Sequence, residues 1–141
     1  MRPLAAAVVS VAGGVLLAGC GDGGGKADVC ANADHELERS SFVFVQSPSS
    51  GERVSSGFRV SGCASTFEAN VTWRLRARDG HTLASGFVTT TAGSLQPGPF
   101  RFRVSYSIST RQIGSLEIVA PSTTSEGNPP VNDFVPLVLA P

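Results

Sequence analysis

The residues of this 141-residue sequence most able to do chemistry are three cysteines, two histidines and ten arginines. Five of the arginines, Arg74, Arg76, Arg78, Arg101 and Arg103, recur at every second position within two short runs. On a β-strand that spacing puts the guanidiniums of each run on one face. Planar, multidentate donors there would suit a phosphate- or carboxylate-bearing polymer better than lysines would. The competing reading is a solvated face that protects an exposed sheet. Whether the two runs share a sheet is not legible from spacing. Glu68, between Phe67 and Ala69, is a further candidate. Its carboxylate either contacts a ligand or accepts backbone N–H bonds that fix a crossing loop.

Catalysis finds little support. His35 has Asp34 and Glu36 as neighbours but lies in a polar lead-in, and His81 follows an Asp79-Gly80 turn pair. A serine hydrolase needs Ser, His and an acid brought together, and no serine here sits in a nucleophile-elbow pattern. No His, Cys, Asp or Glu cluster has metal-ligand spacing. No glycine loop joins a strand to a helix in the manner of a phosphate cradle. The expectation is a protein that is not an enzyme and uses no cofactor and no metal. A formal net charge of zero gives no general drive towards nucleic acid.

The three cysteines read differently. Arg2 precedes an uncharged run from Pro3 to Gly19, too short for a membrane span of ~20 residues and fitting a secretory signal. It ends in Leu17-Ala18-Gly19-Cys20, which resembles the bacterial lipobox. Small residues admit the signal peptidase there, and the Cys20 thiol accepts the diacylglycerol. Acyl chains in pairs anchor a protein stably where one would not. Residues 1–19 are therefore expected to be a lipoprotein signal peptide. Residues 20–41 would be the lipidated cysteine and a tether, opening with the flexible Gly21-Asp22-Gly23-Gly24-Gly25-Lys26. The expected location is the extracytoplasmic face of the cell membrane, through the lipid.

Cys30 and Cys63 then remain as an even pair in an oxidising setting, and a disulfide between them is expected. Closing that loop should stabilise the fold by about 3–4 kcal/mol through chain entropy. Around Cys63, Phe58 and Val60 face one way while Arg59, Ser61 and Cys63 face the other. The bond should thus pin the lead-in to the outside of the domain.

What must position these groups is a run of short strands organised around Phe58 to Phe87. Phe42 to Val45 and Phe58 to Ala64 read as strands on either side of a Ser47-Pro48-Ser49-Ser50-Gly51-Glu52 turn cluster. Asn70 to Arg78 alternates cleanly, with Val71, Trp73, Leu75 and Ala77 inward. Asp79-Gly80 would close a two-residue hairpin loop into a strand within Thr82 to Thr91, with Leu83 and Phe87 inward. After a Gly/Pro loop from Ala92 to Pro99, Phe100, Phe102, Val104 and Tyr106 alternate inward. Ser115 to Ala120 and Val131 to Leu139 complete the set, with Pro136 expected at an edge or bulge. Seven such strands over about a hundred residues, with no helical periodicity, predict an all-β, immunoglobulin-like antiparallel sandwich over residues 42–141. A small barrel is the alternative. The expected core is Phe58, Trp73, Leu75, Phe87, Phe100, Phe102, Leu116, Ile118 and Leu137.

Residues 47–54, 58–62 and 64–71, the last containing Thr66-Phe67-Glu68-Ala69-Asn70-Val71, carry a family resemblance. With Gly98-Pro99-Phe100 and Leu116-Glu117-Ile118, this chain resembles the bacterial spore-germination-associated immunoglobulin-like domain from about Phe42 to Leu139. The resemblance implies an exported module, often appended to other envelope proteins, with no established catalysis. Cys63 departs from the pattern, and a spore role is not carried over. Two functions are expected from these residues. The first is a lipid-anchored module that binds an anionic envelope polymer or an envelope protein. The second is an accessory subunit of a membrane-associated complex with no soluble ligand.

Overall fold

The computed structural model describes residues 30, 31, 35, 40–91, 93–121 and 130–141. The expected signal segment, Cys20 and most of the tether lie outside the described residues. Alternating apolar residues form eight strands: β1 (Phe42–Ser47), β2 (Arg53–Val54), β3 (Phe58–Ser65), β4 (Asn70–Arg76), β5 (Thr82–Thr89), β6 (Pro97–Val104), β7 (Gln112–Ala120) and β8 (Val131–Leu139). Among the described residues there is no helix. Three strands pair in the order β1-β3-β6 and five in the order β2-β8-β7-β4-β5. All neighbours are antiparallel except β2 and β8. The two sheets make the immunoglobulin-like sandwich expected from the alternation.

The core lies between the sheets. Val60, Phe100 and Val104 meet Val71, Leu75, Leu116, Ile118, Leu137 and Leu139, all buried. Trp73 stacks on Phe102 across the gap, with ring centroids 4.9 Å apart. Such burial drives the fold at roughly 1.5–3 kcal/mol per large side chain. Among the described residues every ladder lies between Phe42 and Leu139, and the disulfide closes from Cys30, so the unit from Cys30 onward contains its own core.

Several expectations are corrected. Phe87 points to solvent and is 75% exposed. The cause is a bulge: Leu75 pairs with Ala84 but Arg76 pairs with Thr82, so Leu83 is skipped and the parity of β5 resets. Ala84, Gly86 and Val88 then face inward, opposite Leu75, Trp73 and Val71. Gly86 is required there, because a Cβ would sit 2.8 Å from Trp73 Cζ2. The β4–β5 hairpin loop has three residues, not two. Ala77 N–H donates to His81 O at 2.8 Å and Gly80 N–H to Ala77 O at 3.0 Å, with φ +86° at Gly80 alone. β6 starts at Pro97, inside the segment expected to be a loop. The two-residue β2 was not expected, being too short to show alternation.

Pro136 is tolerated for a reason visible in the ladder. Its carbonyl accepts from Gly51 N–H at 2.7 Å, on the side of β8 facing away from β7. The nitrogen of a strand residue points the same way as its carbonyl, so the missing N–H removes no β7–β8 bond. Tyr106 closes the far end of the sandwich. Its O–H lies 2.7 Å from Ala140 O and 2.8 Å from Val54 O, one proton shared between two acceptors. Burial raises its pKa above 10.0. At one corner Asp133 joins the sheets, its Oδ2 accepting from Val45 N–H at 2.7 Å.

Candidate functional site

The outer face of the β1-β3-β6 sheet carries an arginine cluster that strand register builds. Inward Val60 pairs with Phe102 and inward Gly62 with Phe100. The intervening positions must therefore face out: Arg59 opposite Arg103, and Ser61 opposite Arg101. Ser47 of β1 lies opposite Ser61 on its other side. These residues surround an open concavity of about 510 Å³, lined by Ser47, Arg59, Ser61, Arg101 and Arg103. All three guanidiniums belong to exposed residues. Arg103 Nη1 donates to Gly57 O at 3.0 Å, which steadies one fork.

Among the described residues, no carboxylate forms a salt bridge with Arg59, Arg101 or Arg103. Like charges directly opposite on a sheet destabilise it. An oxyanion seated between Arg59 and Arg103 would relieve that repulsion and could accept bidentate, charge-assisted hydrogen bonds. The arrangement has the donors an oxyanion would need. It offers no nucleophile beside a base.

The same face holds the disulfide. Cys63 bonds to Cys30 across 33 positions, with Cα atoms 5.6 Å apart. Cys63 has the outward parity expected of it, opposite Phe44 of β1 and Pro99 of β6. It is nevertheless 0% exposed, because this end of the outer face is covered. Ser65 and Thr66 beside it are buried too, their hydroxyls without hydrogen-bond partners.

The second arginine run lies on the opposite side of the molecule. Arg74 and Arg76 face out from β4 in the five-stranded sheet, so the two runs do not form one stripe. Arg74 stands opposite Glu117 of β7, and Arg76 Nε donates to Glu117 Oε2 at 3.3 Å. Arg76 also donates through Nη1 to Gly80 O at 3.3 Å. Arg78 belongs to the hairpin loop, where its N–H donates to Gln112 Oε1 at 3.3 Å. Phe87 and Phe134 share this face, opposite Thr72 and Glu117 respectively. Charge here is partly neutralised, and aromatic surface is interleaved with it.

Glu68 is exposed, and its carboxylate accepts no hydrogen bond among the described residues. Backbone contacts fix that loop instead: Ser94 N–H to Phe67 O at 3.0 Å and Thr90 N–H to Ala69 O at 2.7 Å. Ala69, Ser94 and Leu95 all take positive φ there. His35 and His81 are both exposed, and His81 N–H donates to Asp79 Oδ1 at 2.9 Å. Among the described residues, no three His, Cys, Asp or Glu side chains gather as a metal site.

Arg59 was missed as a site residue. Its outward parity was readable, but its place opposite Arg103 depends on β3 pairing with β6, two strands separated in sequence by a whole hairpin.

No curated protein matches this chain. Among solved structures, CopC from Methylosinus trichosporium OB3b is similar, with a TM-score of 0.43 and 13% sequence identity over 70% of this chain and 92% of that one. Residues 42–126 match the family described as the immunoglobulin-like domain of bacterial spore germination. That span covers more than half of the chain and ends in the segment after β7, and the chain belongs to this family.

Proposed function

We propose that the protein is a lipid-anchored, non-enzymatic module on the extracytoplasmic face of the cell membrane, and that it binds an anionic component of the envelope. The observation that carries this reading is the gathering of Arg59, Arg101 and Arg103 around one concavity with no neutralising carboxylate among the described residues. Guanidinium forks recognise phosphate or carboxylate oxygens bidentately, and Arg103 is already steadied by its bond to Gly57 O. Anchoring through Cys20 is supported by the Leu17-Ala18-Gly19-Cys20 sequence. The reading needs no cofactor and no nucleic acid.

Co-sedimentation of residues 27–141 with isolated cell envelope, at low and high salt, tests it. Binding should be salt-sensitive and lost when Arg59, Arg101 and Arg103 are all changed to Gln. Binding that survives high salt and this triple change would overturn the proposal.

A second reading has its own support. Phe87 and Phe134 are 75% and 59% exposed on the five-stranded sheet, as in an accessory subunit that packs against an envelope protein. A stoichiometric crosslinked partner, lost on changing Phe87 and Phe134 to Ser, would favour it.

A further inference from the structure

We infer that the anion met by Arg59, Arg101 and Arg103 is the phosphate headgroup layer of the membrane itself, so that the β1-β3-β6 sheet docks face-down on the bilayer. The inference rests on the anchored, anion-binding reading above and adds the occupant and the orientation.

The disulfide sets the geometry. Cys63 lies on the outer face of β3, four residues from Arg59 on the same strand. Its partner across the ladder, Pro99, lies two residues from Arg101. At ~3.3 Å per residue the bond is therefore roughly 7–13 Å from the cluster, on the same surface. Cys30 brings the chain to this surface, and ten positions separate it from Cys20. Their Gly-rich composition gives a reach of roughly 15–20 Å. A domain of this size has a radius of gyration of about 13 Å, hence a diameter of about 34 Å. A tether shorter than the domain is wide keeps the face it leaves from nearest the membrane.

Charge and space then select the occupant. Without the signal segment and its Arg2 the chain holds ten basic and eleven acidic residues, a formal net charge of −1, so it has no long-range pull towards an anionic surface and attraction acts only within the Debye length of ~10 Å. The tethered face is the one that stays inside that distance. It is also where a bulky polymer has least room, whereas headgroups are held at millimolar effective concentration by the anchor. Mobile phosphates can fill the concavity without threading beneath the domain. Arg74 and Arg76, on the other sheet, and Arg78, in the β4–β5 hairpin loop, lie off this face.

The test uses residues 27–141 with the disulfide intact, so that no acyl chain contributes. The protein is sedimented with vesicles of phosphatidylglycerol mixed into phosphatidylcholine, with phosphatidylcholine alone, and separately tested against soluble polyphosphate. Binding to the anionic vesicles should fall at high salt and drop by roughly fivefold for each of Arg59, Arg101 and Arg103 changed to Gln. The Arg74→Gln, Arg76→Gln, Arg78→Gln variant should bind as wild type does. Melting curves of both triple variants establish that they fold. Polyphosphate binding with no preference for anionic vesicles would overturn the membrane as occupant and leave the anion-binding reading standing. No binding to either would overturn both. Equal losses in the two triple variants would overturn the choice of face.

Discussion

On the three-stranded sheet, Arg59 and Arg103 stand directly opposite each other, with no acid bridging them among the described residues. On the five-stranded sheet, Arg74 stands opposite Glu117 and Arg76 is paired with it. The two faces carry arginines at the same sequence spacing, yet one stores repulsion and the other relieves it internally. What separates them is which strand lies alongside. A charged residue on a sheet takes its meaning from its cross-strand neighbour. The faces also differ in exposure: Cys63, bonded to Cys30, is fully buried on the first, while Phe87 and Phe134 stand open on the second.

The largest effect should come from removing the disulfide. Changing both Cys30 and Cys63 to Ala should lower stability by about 3–4 kcal/mol, read by urea denaturation, from lost loop closure. An unchanged midpoint would mean that the lead-in contributes nothing to the first face.

A contrast within β5 comes next. Gly86→Ala should destabilise by roughly 1–3 kcal/mol, because its Cβ would press on the Trp73 indole. Phe87→Ser next to it should change stability by less than about 0.5 kcal/mol. Equal costs would put Phe87 in the core and remove the aromatic surface from the second face.

Tyr106 ties the end of the sandwich shared by both sheets. Tyr106→Phe should cost roughly 1–3 kcal/mol, since it leaves the carbonyls of Val54 and Ala140 without this donor. Its folded pKa is raised above 10.0, so the folded protein holds the proton more tightly than the unfolded chain. That contribution is complete below pH 10 and is lost as pH rises beyond it. Melting temperature should therefore fall above pH 10 in wild type and fall less in Tyr106→Phe. Tyr106 is the only tyrosine in the chain, so the phenolate absorbance reports it directly. A midpoint at or below 10 would contradict the burial.

The smallest effects separate the two arginine sets by sign. Arg59→Gln should raise stability by about 0.2–1 kcal/mol by relieving the pair with Arg103. Arg76→Gln should lower it by about 0–1 kcal/mol, as expected for a partly exposed ion pair. Opposite signs in denaturation midpoints would sharpen the contrast, and matching signs would erase it.

The legibility of this molecule follows the range of the physics involved. Alternation is local, so Asn70 to Arg76 and Val131 to Leu139 were readable nearly to the residue, and the sandwich with them. The disulfide was readable from the even pair of cysteines left once Cys20 is set aside for the lipobox-like sequence. Phe87 was misplaced because the bulge at Leu83 resets the parity, and no local pattern announces a bulge. The arginine cluster was half legible. Arg101 and Arg103 stood out by spacing, but Arg59 joins them only through a ladder formed after β4 and β5 have gone to the other sheet. Of the two readings of Glu68, a loop brace or a ligand contact, the first is excluded: backbone bonds and positive φ angles hold that loop and the carboxylate stands in solvent.

The central claim is that the three-stranded face is the binding face. Arginine-selective labelling with phenylglyoxal, followed by mass mapping, tests it most directly, with and without isolated envelope. The account predicts that Arg59, Arg101 and Arg103 become protected while Arg74 and Arg78 label as before. Protection of Arg74 and Arg78 with Arg59, Arg101 and Arg103 still reactive would contradict it.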